Sequence, residues 1–131
     1  MELDLDRLLA ATRAGQWSVD DLDWSAPLQG AERLGPADRR AAGLALVFTA
    51  GLEDQAARVF ELCADHVDDE RARAIYRLFG ADERRHAEAE RRLAARFGVG
   101  PADLAPAARW MFATLARNFE LLSASRRASR G

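Results

Sequence analysis

The stretch Asp82-Glu83-Arg84-Arg85-His86 constrains this chain more than any other. On an α-helix at about 100° per residue, with Glu83 as origin, His86 lies at about 300° and Phe79 and Phe97 at about 320°. Glu90 and Ala72 fall at about 340°, Ile75 and Leu93 at about 280°. Two carboxylates and an imidazole therefore occupy the middle of an apolar stripe. Arg73, Arg77, Arg84, Glu88, Arg91 and Arg92 take the opposite face. Charges among Phe, Ile and Leu are costly unless they are paired or bound to metal. Whatever fold the chain adopts must supply those partners or a cation. Glu-x-x-His facing into a helical bundle is a ligand pair suited to iron or manganese, because a spacing of three puts both side chains on one face, a turn apart.

The rest of the composition bounds the setting of this feature. A chain of 131 residues is expected to form one domain with one core. Ala is abundant and β-branched residues are few, which favours helix. A formal net charge of −2 gives no reason to expect nucleic-acid binding. All 19 cationic side chains are Arg, which reads as a coding bias rather than as chemistry. Cys63 is the only cysteine, so no disulfide can form within the chain and a reduced, cytoplasmic setting is expected. No apolar run approaches the roughly 20 residues of a membrane span, and Met1-Glu2-Leu3-Asp4 lacks the pattern of a signal peptide.

Taken in order, 3–14 reads as a short amphipathic helix ended by Gly15. Residues 16–35 read as a mostly irregular arm that lays Trp17 and Trp24 onto a bundle as core packing. Gly35-Pro36 is a helix start, and the helix is expected to run to about Val67. Its apolar face is predicted as Leu52, Ala56, Val59, Phe60 and Cys63, with Glu53 about 70° from the centre of that face. Asp68-Asp69-Glu70 is good N-cap and first-turn chemistry for a second long helix, 68–97, stopped by Gly98. A connection of only a residue or two makes the pair an antiparallel hairpin. Gly80 marks either a close backbone approach or a local bulge. A shorter helix, 107–123, carries Ala108, Met111, Phe112, Leu115, Phe119 and Leu122 on one stripe and turns Glu120 to water. The Arg-rich tail, 124–131, is expected to be disordered. The chain thus divides into a helix and arm (1–35), a helical domain (36–123) and a tail.

Glu53, followed thirty residues on by Glu83-x-x-His86 across a short hairpin, resembles half of a ferritin-like carboxylate-bridged di-iron site, over about 36–97. The longer Asp82-Glu83-x-Arg85-His86 is similar to a motif of bacterial multicomponent monooxygenase hydroxylases. The resemblance implies an all-α, ferritin-like fold in which Glu83 bridges two metals, His86 binds one and Glu53 is a terminal ligand. Asp82 would fix a histidine tautomer, and Arg85 would pair with such a carboxylate. Glu90, by its phase alone, is expected to be an extra ligand or an acceptor behind the ligands, the alternative being that it reaches the bundle edge and pairs with Arg. Such families carry a second Glu-x-x-His. This chain has none, and its other histidine, His66, reads as a helix-terminal residue. The resemblance therefore implies completion by a second chain, a homodimer or higher homo-oligomer as in the encapsulated ferritins, with dioxygen oxidising ferrous iron or a small molecule. Manganese suits the same ligands. The alternatives are a component that pairs with a half-site on another chain, and a non-catalytic helical module in which the motif is vestigial.

Overall fold

The computed structural model describes residues 3 to 129, and among these every regular element is helical. Helix α1 spans Leu5–Ala14. The arm that follows holds two short 3₁₀ turns, Val19–Asp21 and Ala31–Arg33. Helix α2 is Pro36–Ala64, α3 is Glu70–Arg96, a third 3₁₀ turn covers Pro101–Asp103, and α4 is Pro106–Ser129. No helix among the described residues is long and apolar enough to cross a membrane.

The helix ends follow the local chemistry. The Asp4 carboxylate accepts the Arg7 N–H at the start of α1, and Gly15 donates back to Ala11 at its end. The Asp69 carboxylate accepts the N–H groups of Arg71 and Ala72 at the start of α3. At the end of α3, Gly98 takes φ 74°, which glycine adopts without strain. Its N–H reaches Ala95, the Val99 N–H reaches Ala94, and buried Val99 packs back on Ala94. This Schellman closure turns the chain toward α4. The link between α2 and α3 is longer than expected, 65–69, because α2 stops at Ala64. His66 Nδ1 lies 2.6 Å from the Leu62 carbonyl oxygen and closes that helix end, as its terminal position suggests.

Helices α2 and α3 pack along their lengths in antiparallel fashion. Arg84 pairs with Glu61, Arg91 with Asp54, and Gly80 lies against Ala57. The packing seam corrects the predicted apolar face of α2. Gly43, Ala50, Ala57 and Ala64 are its buried residues at heptad spacing, and Gly80, Ala87 and Ala94 continue that spacing on α3. Small side chains at every seventh position let two helices approach closely over many turns. A Cβ at Gly80 would sit 3.2 Å from the Ala57 carbonyl oxygen, so this glycine serves close approach within an unbroken helix. The larger apolar residues of α2 are left outside the seam. Leu52 is 47% exposed, Val59 42% and Phe48 37%.

The N-terminal region lies on α3. Val19 is buried, Asp20 pairs with Arg92, and the Arg92 guanidinium stands over the Trp24 ring at 5.6 Å. Both arm tryptophans are half-buried rather than core, each with its N–H committed: Trp24 to the Val19 carbonyl, Trp17 to Asp82. Helix α4 rests on α2, with the Phe112 ring filling the space left by Gly51. Two expectations for α4 are corrected. Leu122 is exposed, and the helix runs through Ser129 rather than ending near Ser123, so 124–129 is helical; Arg130 and Gly131 lie outside the described residues. Nothing in the Ala- and Arg-rich composition of that segment breaks a helix, and both residue types are good helix formers.

Candidate metal centre

Glu53 comes from the middle of α2, Glu83 and His86 from the middle of α3. The antiparallel register brings them together: one ligand atom from each lies within 4.8 Å of the other two. His86 Nδ1 is 3.5 Å from Glu83 Oε2. The site lies at the edge of the hairpin and not in its seam. The Glu83 side chain is 23% exposed and that of His86 44%, so the cluster has one protein wall and one open side.

The electrostatics show what the cluster lacks. Glu53 is pushed up to about 7, first by the hydrogen bond it shares with Glu83, then by burial and by the charge of Glu83. The Glu53 carboxyl therefore keeps its proton to higher pH than a free carboxyl group does. Glu90, one turn beyond His86, has its carboxyl raised by burial, and its Oε2 is buried with no hydrogen-bond partner. Its charge is felt by Glu53 and it feels His86 in turn. Two carboxylates and an imidazole, with no thiolate near, fit a divalent ion that takes mixed oxygen and nitrogen ligands, such as iron or manganese. A structural zinc site would favour cysteine and histidine.

Asp82 and Arg85 pair with each other, and each has a further partner the sequence did not suggest. Asp82 Oδ1 accepts the Trp17 indole N–H at 2.9 Å and Arg85 at 2.9 Å. Arg85 also donates to Gln16 Oε1 at 2.6 Å. The Trp17 ring stacks on the His86 ring, with centroids 5.8 Å apart and planes at 28°, and the Arg85 guanidinium stands 5.7 Å from the Trp17 ring. Gln16 and Trp17 are thus neighbours of the site that sequence reasoning placed only in the packing arm. The signal that could have found them is the pair itself, a polar and an aromatic side chain directly after the Gly15 stop.

Toward the link between α2 and α3, Phe60 packs against Tyr76 and Phe79, at centroid distances of 6.2 and 5.5 Å. A cleft of about 580 Å³ between the hairpin and α4 is lined by Arg58, Glu61, Arg77, Arg84 and Phe119 among others, and one of about 340 Å³ lies beside Gly51 and Phe112. Neither includes Glu53, Glu83 or His86. Comparison of the chain with protein-family models, with curated proteins and with solved structures returned no match.

Proposed function

We propose that this chain is a ferritin-like metal-binding protein that holds iron through Glu53, Glu83 and His86, and that two copies bring two such sets together as a di-iron centre. Manganese is the second metal the ligand set suits. The observation that carries the reading is the convergence of the three ligand atoms within 4.8 Å on helices whose pairing is set by residues elsewhere. The exposed Leu52 and Val59 support a second copy, since they leave apolar surface on the helix that carries Glu53, beside Phe48, which is partly covered by Phe112 of α4. An isologous contact would double each ligand and close the open side.

Iron held there would supply one-electron chemistry with dioxygen, for oxidation of ferrous iron itself or of a small molecule. The side chains do the remainder. Glu53 and Glu83 would give the cation its oxygen ligands, Glu53 releasing the proton that the bond to Glu83, burial and the Glu83 charge help it keep. His86 presents one ring nitrogen and leaves other positions open.

The test is to add ferrous iron without air, admit air, and follow the near-ultraviolet absorption of ferric iron, with solution mass measured in parallel. Wild type should bind iron and develop the absorption; Glu83→Ala and His86→Ala should each abolish both. One observation favours a second reading. The 3.5 Å contact between His86 and Glu83 lets the two pair without a cation, as a non-catalytic helical module or partner subunit with a vestigial motif would need. Wild type that binds no iron, with both variants equally folded, selects that reading.

A further inference from the structure

We infer that Trp17 is a positioning residue for the candidate metal centre: its indole holds the His86 imidazole in one orientation, and Gln16, Arg85 and Asp82 hold the indole. This rests on the metal-binding reading only for its consequence on affinity. His86 is half-exposed, and a side chain so placed ordinarily samples several rotamers. Two contacts restrict it. Its Nδ1 edge meets Glu83 at 3.5 Å, and one ring face meets the indole at 5.8 Å between centroids.

The indole is itself held at two points. Its N–H is committed to Asp82 Oδ1, and the Arg85 guanidinium lies over its ring. The same Asp82 oxygen takes Arg85, and Arg85 reaches the Gln16 carbonyl oxygen. Gln16 is tied in turn to the Thr12 carbonyl of α1. A continuous set of contacts therefore runs from the end of α1 to the His86 ring.

The experiment uses the full chain and two probes. The first is the chemical shift of the His86 ring protons in the metal-free protein, assigned with His66→Asn, since the chain has only these two histidines. The second is the affinity for manganous ion alone. In wild type the indole ring current should displace the His86 ring protons upfield. In Trp17→Leu they should return to ordinary values at unchanged helix content, and manganous-ion affinity should fall about tenfold, the usual loss when a group supporting a ligand is removed. Trp17→Phe, which keeps a ring but not the N–H, should lie between. Should Trp17→Leu fail to fold, Asp82→Ala releases the indole and should move both readouts in the same direction. His86 protons that resonate alike in wild type and variant overturn the positioning role. So does an affinity that stays constant while the proton signals move. Wild type that binds no manganous ion but shows the displaced signals keeps the indole contact and removes the metal reading instead.

Discussion

At the scale of single residues, Glu53 keeps its proton to higher pH than it would in water. Unfolded, Glu53 releases it near 4.5; folded, it keeps it to about 7, because of the bond with Glu83, burial and the Glu83 charge. Between those values the folded state binds more protons than the unfolded one. The stability this group contributes is therefore full below about pH 4.5 and is lost as pH rises to about 7. In the metal-free protein, Glu53→Gln should remove that loss, so that its advantage over wild type in urea midpoint is larger at pH 8 than at pH 5. A constant difference would show that Glu53 does not keep the proton. Metal must displace the proton, so affinity should climb as pH rises through about 7. The orphaned Glu90 Oε2 leads to a second expectation. A buried acid without a partner lowers stability by about 1–3 kcal/mol. Glu90→Leu should stabilise the metal-free protein and weaken its hold on manganous ion. Loss of stability in that variant would mean that Glu90 has a partner, and unchanged affinity would mean that it has no part in the site.

At the scale of elements, α2 has two apolar faces with different work. One is the heptad line of Gly43, Ala50, Ala57 and Ala64, which meets Gly80, Ala87 and Ala94. The other is the line of Phe48, Leu52 and Val59, which meets no other element closely enough to be buried. The distance between α2 and α3, and with it the approach of Glu53 to Glu83, is set by the first line. Ala57 has 0% exposure, so Ala57→Leu has nowhere to go but between the helices. It should destabilise the fold by about 1–3 kcal/mol, read from urea unfolding, and should weaken metal binding although it touches no ligand. An unchanged affinity would separate the site from the seam.

At the scale of the whole molecule, the proposed reading joins two chains through the exposed Leu52 and Val59 so that two sets of candidate ligands meet. The expected solution mass is twice the 14.4 kDa of the chain. Leu52→Arg places a charge in that contact without altering Glu53, Glu83 or His86, and should return the mass to that of one chain and abolish iron oxidation. A dimer that survives Leu52→Arg would put the contact elsewhere, and a wild-type monomer with iron supplied would remove the shared site altogether.

Much of this architecture could be read in the residues alone. Caps at Asp4 and Asp69, the stops at Gly15 and Gly98 and the start at Pro36 are local chemistry, and local chemistry is written in neighbouring residues. The same holds for the candidate ligands. Glu83 and His86 share a face by spacing, and Glu53 follows once two helices of known length run antiparallel. What the chain did not show on its face is which stripe of α2 packs inward. Hydropathy points to its large residues, Leu52 and Val59, whereas close helix approach selects its small ones, Ala50 and Ala57. The contact between Asp82 and Trp17 was equally hidden, since Trp17 stands 65 residues away and reaches it only after the arm has folded onto α3. Periodicity measures one helix at a time. Which surfaces meet depends on the distance at which two helices come to rest, and that is a property of the pair.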